Sequence, residues 1–215
     1  MRVVYGGTFD PVHIGHLAVA ERLIPLLEPS VFLYLPCCVP VHKAEPTTGT
    51  HHRLTMLAIG IQALPDAIKA HCAIDDREVR SGVGQYTVDT LTSLRAEGSE
   101  TEPLVFVMGG DALHQLATWH RWTELTELAH LVVVGRPDFA LVEMPENVQR
   151  LLGPSMTDDW SDLGRSAHGK VVLLPDFDVP ISSTLLRHDV EKYKNWLAPA
   201  VYDYILAQHL YNSGL

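Results

Sequence analysis

The chain has 215 residues, of which 47% are hydrophobic and 20% are charged, and its formal net charge is −10 at pH 7. This composition is typical of a globular protein, and the length suits one α/β domain over residues 1–215 with a C-terminal helical extension over about 183–215. The negative charge argues against a general nucleic-acid surface and against an anionic-membrane surface, so a phosphate site would have to be a local basic pocket.

The cysteine pattern and the hydropathy of the chain indicate in which cellular compartment we expect the protein. The three cysteines, Cys37, Cys38 and Cys72, lack C-x-x-C spacing and are odd in number, as expected of reduced thiols in a cytosolic protein. No apolar stretch approaches the ~20 residues of a membrane span, and Met1 leads directly into a predicted strand, which leaves no room for a signal peptide. We therefore expect a cytoplasmic protein with no membrane and no nucleic-acid partner, and a homo-oligomer is left open.

The most informative stretch is a strand-to-helix turn near the start of the chain. A predicted strand over residues 2–5 is followed by G-G-T-F-D-P-V-H-I-G-H at residues 6–16 and then by apolar residues at helical spacing. Adjacent glycines let backbone N–H groups approach a phosphate at the helix N-terminus. His13 and His16, three residues apart, can both face an anion bound there and donate hydrogen bonds to it.

Local evidence leaves other interpretations of this turn open. It is not a P-loop, because no Gly-Lys-Ser/Thr ending follows, and it lacks the G-x-G-x-x-G spacing of a dinucleotide fingerprint. A Gly-Pro turn with two surface histidines would show the same residues. A metal site at the two histidines has no third ligand nearby in the sequence, so we expect no metal there.

A second strand and its loop follow. Residues 31–35 form a predicted strand, and the loop over 37–50 places Lys43 beyond its carboxyl end, where ligands bind in open α/β sheets. A solvated loop lysine is the other interpretation of Lys43. The helix that follows has its predicted apolar face at Leu54, Leu57, Ala58, Ile61 and Leu64.

The alternation of predicted strands and helices continues in the middle of the chain. Residues 71–74 form a third predicted strand, and we interpret residues 75–78 as its solvated edge. Thr87 is a predicted N-cap for the next helix, whose N-terminus is either a second anion site or an ordinary capped end. The strand over 104–108 ends in Gly109-Gly110-Asp111, where Asp111 could contact a ribose hydroxyl or simply cap the next helix.

Two tryptophans, Trp119 and Trp122, come next, and we expect one of them to be buried while the other could stack on a nucleobase or pyridine. A fifth strand is predicted over 131–134 and a sixth over 170–174. The polar segment between them, over about 138–169, is interpreted as an irregular excursion with no assignable chemistry.

The sixth strand leads to I-S-S-T-L-L-R at residues 181–187. Two serines and a threonine at a predicted helix start provide a cap and hydroxyl donors, and Arg187 follows one turn later, within reach of the same phosphate. An ordinary Ser-capped helix explains the serines equally well. Six strands alternating with helices predict a Rossmann-like, doubly wound parallel sheet, whose strand order the sequence does not reveal.

The two motifs together resemble the bacterial-type nicotinate mononucleotide adenylyltransferases, which belong to the nucleotidyltransferase superfamily with H-x-G-H and I-S-S-T-x-x-R motifs. The resemblance covers nearly the whole chain. It implies transfer of AMP from ATP to nicotinate mononucleotide by direct in-line phosphate attack, with Mg²⁺ carried by the ATP.

The resemblance also implies roles for individual residues. The catalytic groups would be His13, His16, Lys43 and Arg187. The ATP site would comprise Gly7, Thr8, Phe9, His16, Gly109, Asp111, Ile181, Ser182, Ser183, Thr184 and Arg187. The nicotinate mononucleotide site would comprise Thr8, Lys43, Thr87, Trp119 and His120, with Trp119 stacked on the pyridine.

Other functions are not excluded by the sequence. The loop at residues 39–43 (V-P-V-H-K) departs from the family's usual P-P-H-K, and Ala112 replaces a usual serine. The acceptor could instead be nicotinamide mononucleotide or phosphopantetheine, although Arg187 and the chain length argue against the latter. A non-catalytic nucleotide-binding module and a hydrolase are further alternatives, but the phosphate-handling groups are present and no nucleophile–base pair is discernible.

Overall fold

The computed structural model describes residues 1–38, 48–135, 144–174, 177 and 181–211. Six parallel strands form one sheet, with helices packed on both of its faces. The strands are β1 (Arg2–Gly7), β2 (Val31–Pro36), β3 (Cys72–Ile74), β4 (Leu104–Gly109), β5 (His130–Val134) and β6 (Val171–Leu174).

The α-helices are α1 (Ile14–Leu27), α2 (Thr50–Gln62), α3 (Asp66–Lys69), α4 (Arg77–Ser81), α5 (Thr87–Glu97), α6 (Gly110–His114), α7 (Leu125–Leu128), α8 (Glu146–Leu152), α9 (Ser183–His188), α10 (Val190–Tyr193) and α11 (Pro199–Ala207). Short 3₁₀ turns lie at Leu116–Thr118, Trp122–Glu124, Gly153–Ser155, Trp160–Gly164 and Lys194–Trp196. None of these described helices is both long and apolar enough to cross a bilayer.

The strand order is β3-β2-β1-β4-β5-β6, and every pairing is parallel. The chain therefore builds the sheet outward from β1 to β3, returns to place β4 beside β1, and continues outward in the opposite direction. The predicted Rossmann-like doubly wound fold is confirmed. Its topological switch point lies between β1 and β4, where open α/β sheets form their ligand crevice.

Each face of the sheet has its own apolar core, because alternate strand residues point to opposite faces. Val3 and Tyr5 of β1 pack with apolar residues of α1, α2 and the C-terminal helices. Val4 of the same strand packs with Phe106 of β4 and with apolar residues of α5 to α8. The central strands are thus buried on both faces, as continuous apolar runs predict.

Several sequence expectations were wrong in detail. Residues 75–78 are not a solvated edge: the chain enters α4 there, and Glu78 is buried. The buried face of α2 is Arg53, Met56, Leu57, Gly60 and Ile61. Ala58 is exposed, since the apolar stripe is rotated by one residue from the predicted one and includes a cation.

Three other expectations were also wrong: the N-cap residue of α5, the burial of one of the two tryptophans, and the irregular structure of the polar segment over about 138–169. Tyr86, not Thr87, is the N-cap of α5, so Thr87 is the first helical residue. Trp119 and Trp122 are both half-buried. Within the predicted irregular excursion the structure describes α8 and two 3₁₀ turns, because Val148 and Leu152 anchor that helix in the core.

Candidate active site

The predicted site residues converge on the carboxyl edge of the two central strands. Gly7 ends β1 and Gly109 ends the neighbouring β4. A Cβ on Gly7 would lie 2.8 Å from the Phe9 ring, and one on Gly109 would lie 2.6 Å from Oδ1 of Asp111. Glycine is required at both strand ends because these side chains fold back over them.

The loop between β1 and α1, residues 8–13, is held by its own aromatic side chain. Phe9 has φ 50°, a left-handed backbone that bulky residues seldom adopt, and its ring is almost fully buried. The ring packs edge-on against Tyr5 and His16, with centroids 5.6 and 5.0 Å apart. Burial of the ring stabilises a backbone geometry that would otherwise be unfavourable.

The two motif histidines form a stacked pair at the start of α1. His13 is the N-cap residue, and its backbone N–H donates to Nδ1 of His16 at 3.2 Å. The two rings lie 3.7 Å apart at an interplanar angle of 31°. Because Nδ1 of His16 accepts this hydrogen bond, the neutral ring carries its proton on Nε2, and the ring orientation is set by the helix cap.

A buried arginine that the sequence analysis did not select anchors the same loop. Arg53 of α2 is 1% exposed. Its Nη1 donates to the carbonyl of Thr8 and its Nη2 to the carbonyl of Cys38, each at 2.8 Å. The sequence does contain a signal for Arg53, because its spacing places it on the same face of α2 as Met56, Leu57 and Gly60. A cation on a buried face is costly unless it is paired, so its position there indicates that it has hydrogen-bond partners.

The second motif docks directly on the first. Ser182 caps α9 by accepting from the backbone N–H of Leu185 at 3.2 Å, as predicted. Ser183 Oγ donates to the carbonyl of Pro11 at 2.9 Å, and Arg187 Nη1 donates to the carbonyl of Asp10 at 2.6 Å.

Two further motif residues complete this contact. Arg187 also donates through Nη2 to Oγ1 of Thr184 at 3.1 Å, while Ile181 is buried in the core. Thr184 itself is exposed. Residues 181–187 therefore meet residues 8–13 across more than 170 positions of sequence, which places Arg187 at the predicted phosphate loop.

Cys37 comes directly after β2, the strand that pairs with β1, and it precedes Lys43 in the sequence. The thiol of Cys37 lies 3.7 Å from the hydroxyl of Thr8, and burial raises the pKa of that thiol, so it remains protonated near neutrality. Lys43 lies outside the described residues. All three cysteines are described, and none of them forms a disulfide.

The predicted acceptor residues come together on the other face of the sheet. The ring of Tyr86, the residue before Thr87, stacks on the ring of His120 with centroids 4.3 Å apart at 34°. Arg121 Nη1 lies 3.5 Å from Oδ1 of Asp89 in the first turn of α5, which joins the two segments a second time. Thr87, Trp119 and His120 are thus neighbours, and their roles remain predictions.

A buried carboxyl group lies behind this acceptor region. Glu78 of α4 accepts a hydrogen bond from Oγ1 of Thr90 at 2.7 Å, which ties α4 to α5. Burial raises the pKa of Glu78 to about 7. No sequence signal marked it, because an acidic residue after an edge strand is usually solvated.

The described residues include no group of three or more His, Cys, Asp or Glu side chains that could hold a metal ion.

Comparisons with known proteins agree with this architecture. A family model described as cytidylyltransferase-like matches residues 4–189. The probable nicotinate-nucleotide adenylyltransferase of Cellvibrio japonicus is 39% identical over 214 residues, covering 97% of each chain. That of Aeromonas hydrophila is 37% identical over 211 residues, covering 97% of this chain and 95% of the relative.

A solved structure supports the fold independently. The Plasmodium falciparum nicotinic acid mononucleotide adenylyltransferase complexed with NaAD superposes with a TM-score of 0.75 at 22% identity, covering 99% of this chain and 98% of that one. The chain therefore belongs to the cytidylyltransferase-like family and, within it, to the nicotinate-nucleotide adenylyltransferases.

Proposed function

We propose that this protein transfers the AMP moiety of Mg²⁺–ATP to nicotinate mononucleotide, giving nicotinate adenine dinucleotide and pyrophosphate. The observation that carries the proposal is the docking of residues 181–187 on residues 8–13 at the β1–β4 switch point. It collects the anion-handling groups of both motifs at the edge of the sheet where ligands bind. The names of relatives at 37–39% identity supply the acceptor.

The chemistry needs no nucleophilic side chain. An oxygen of the acceptor phosphate attacks the α-phosphorus of ATP in line, and the bond from that phosphorus to the bridging oxygen of the β-phosphate breaks. Its electrons leave with pyrophosphate, so the protein has to position two anions and stabilise the charge that develops between them.

The stacked histidines supply part of that stabilisation. With the Nδ1 atom of His16 accepting from the backbone N–H of His13, we assign the Nε2–H of the ring to a phosphoryl oxygen. His13 lies against the same ring, and the N-terminus of the 14-residue helix α1 adds its own positive potential. We assign Gly7, Thr8 and Phe9 to the phosphates through their backbone N–H groups.

The cations act on the leaving group. We assign Arg187 and Lys43 to the departing pyrophosphate, Arg187 from its position on the carbonyl of Asp10. The Mg²⁺ ion enters with ATP as part of the substrate, coordinated by phosphate oxygens, and neutralises charge on them.

The remaining residues hold the two ends of the substrates. Asp111 and Gly109, with residues 181–184, take the adenosine portion of ATP. Trp119 stacks on the pyridine ring, and backbone N–H groups near Thr87 and His120 receive its carboxylate, since the start of α5 favours an anion.

The test is pyrophosphate release with Mg²⁺–ATP, comparing nicotinate mononucleotide with nicotinamide mononucleotide at matched concentrations. We expect strong preference for the acid. Preference for the amide would keep the chemistry but overturn the assignment of Thr87 and His120. If neither acceptor gives pyrophosphate release, and circular dichroism shows that the protein is folded, the proposed activity is refuted.

A further inference from the structure

The last described residues, 208–211, form a turn that contacts the β1–α1 loop near the start of the sequence. After α11, His209 and Tyr211 adopt left-handed backbone conformations with φ of 52° and 58°. The backbone N–H of Leu210 donates to the carbonyl of Ile205 at 3.0 Å, which closes the turn. Two left-handed residues that are not glycine cost conformational free energy, so other contacts must hold them there.

The contact that holds this turn is made to the β1–α1 loop. The hydroxyl of Tyr211 donates to Oδ1 of Asp10 at 2.6 Å, across 201 positions of sequence. Asp10 is 1% exposed. The Tyr211 hydroxyl also hydrogen-bonds with the side chain of Thr48 and lies 4.0 Å from Sδ of Met56 in the core.

Asp10 is therefore held from two directions. Arg187 donates to its backbone carbonyl and Tyr211 donates to its carboxylate. The residue lies between Phe9, with its left-handed backbone, and Pro11, whose carbonyl Ser183 holds. The C-terminal turn thus restrains the side chain of Asp10, while Arg187 of the second motif holds its backbone carbonyl.

We propose that Tyr211 is a positioning residue for the adenylyl transfer: its hydroxyl, acting through Asp10, holds residues 8–13 in the conformation that presents the backbone N–H groups of Thr8 and Phe9 to the nucleotide phosphates. This inference rests on the proposed function of the site. Tyr211 itself contacts the loop and is not a catalytic residue.

The chemistry of the pair favours this role. A hydroxyl that donates to a carboxylate in a water-poor setting makes a short, strong hydrogen bond. Burial and the Asp10 carboxylate both raise the pKa of Tyr211, so its hydroxyl keeps its proton and remains the donor throughout the neutral range.

The test compares Tyr211→Phe with Tyr204→Phe. The hydroxyl of Tyr204, on α11, lies 2.9 Å from Nδ1 of His52, so each variant removes one hydroxyl from the C-terminal segment, and only Tyr211→Phe removes a hydrogen bond to Asp10. Both should lose a few degrees of Tm. Only Tyr211→Phe should lower kcat for pyrophosphate release, by about ten-fold, because a charge-assisted bond to the phosphate loop is lost.

Hydrogen exchange gives a readout that does not depend on activity. The backbone amides of residues 8–13 should exchange faster in Tyr211→Phe than in the wild type, and should be unchanged in Tyr204→Phe. A wild-type kcat together with unchanged exchange in Tyr211→Phe would overturn the proposal, as would equal kcat losses in the two variants.

A second variant covers the case in which Tyr211→Phe does not fold. Asp10→Asn keeps an acceptor oxygen for Tyr211 but removes its charge, so it should show a smaller loss of kcat and faster exchange over the same amides. If the wild type is inactive with every acceptor, the proposed function fails, and the exchange comparison still decides whether Tyr211 holds the loop.

Discussion

One buried and two half-buried polar side chains hold the β1–α1 loop through its backbone carbonyls. Arg53 donates to the carbonyl of Thr8, Arg187 to that of Asp10, and Ser183 to that of Pro11. A carbonyl is present whatever the residue type, so such contacts leave no complementary pair in the sequence. This explains why the sequence analysis assigned Arg187 and the hydroxyls of the second motif to a phosphate and did not predict their carbonyl partners, and why it did not select Arg53.

The His16 ring performs two tasks that a substitution can separate. Asparagine at this position can still accept the His13 backbone hydrogen bond, but it has no donor where Nε2 lies. His16→Asn should therefore lower kcat for pyrophosphate release by about 100-fold, the usual cost of one donor to a developing charge, and should lose some Tm because the buried ring is removed.

His16→Ala is the matched comparison, because it removes the cap acceptor as well as the distal donor. It should lose a similar factor in kcat but more Tm than His16→Asn, since it loses the acceptor of the His13 backbone hydrogen bond in addition to the ring. Near-normal turnover in His16→Asn would remove the Nε2–H donor from the mechanism.

Arg53 should matter chiefly to stability. Arg53→Met fills most of the space but leaves the carbonyls of Thr8 and Cys38 buried without the guanidinium, which should cost roughly 2–4 kcal/mol in the free energy of unfolding. Urea titration followed by circular dichroism measures this loss of stability.

Arg150→Met is the control, because Arg150 is an exposed α8 residue paired only with Glu146 among the described residues, and it should change stability by less than about 0.5 kcal/mol. Equal, small effects of the two substitutions would show that Arg53 is not an anchor.

At the scale of elements, apolar runs predicted the six strands, because strands buried on both faces consist of little else. Strand order could not be predicted, since it depends on which strands pair and not on any single run. Helix α4 was missed because five residues are too few to show a helical period, and its buried residue is charged. The acceptor residues were predicted from resemblance, and the contact between the rings of Tyr86 and His120, which joins the two segments that carry them, was not predicted.

The segment joining α6 to α7 carries two tryptophans that a functional test can distinguish. Trp119 precedes His120, whose ring stacks on Tyr86 beside the start of α5, whereas Trp122 begins the following 3₁₀ turn. Trp119→Ala should raise the KM for nicotinate mononucleotide about ten-fold, because stacking on a base is worth roughly 1–3 kcal/mol, and should leave the KM for ATP unchanged.

Trp122→Ala supplies the control for this element. The two rings are both half-buried, so their removal should cost comparable stability. A KM for the acceptor that rises equally in both variants, or in neither, would mean that Trp119 is a packing residue and not a stacking platform.

Across the whole molecule, two buried groups make stability depend on pH in opposite senses. Burial raises the pKa of Glu78 to about 7, with Asp75 adding to the effect and Thr90 and Arg77 opposing it. Its protonated form is favoured by folding, so stability should fall as pH rises from about 4.5 to about 7. That dependence comes from the acceptor side of the sheet.

His130 at the start of β5 has the opposite effect. The backbone N–H of Lys170 donates to its Nδ1 at 3.0 Å, and its Nε2 lies 2.8 Å from the carbonyl of Ser166, an arrangement that requires the neutral ring. Burial lowers the pKa of His130, and the nearby His168, Arg95 and Lys170 lower it further. Folding favours the neutral ring, so stability should fall as pH drops below about 6.5.

These opposed dependences can be separated by two neutral replacements that keep hydrogen-bonding groups. The free energy of unfolding of wild type, Glu78→Gln and His130→Gln is measured by urea titration between pH 4.5 and 7.5. Relative to the wild type, Glu78→Gln should become more stable as pH rises, by roughly 3 kcal/mol across the range, because the wild type alone has to ionise a buried carboxyl. Relative to the wild type, His130→Gln should become more stable as pH falls, since it has no ring to protonate. Differences that do not change with pH in either variant would mean that the corresponding group titrates normally in the folded protein, and two differences of the same sign would refute the opposed pH dependences of the two groups.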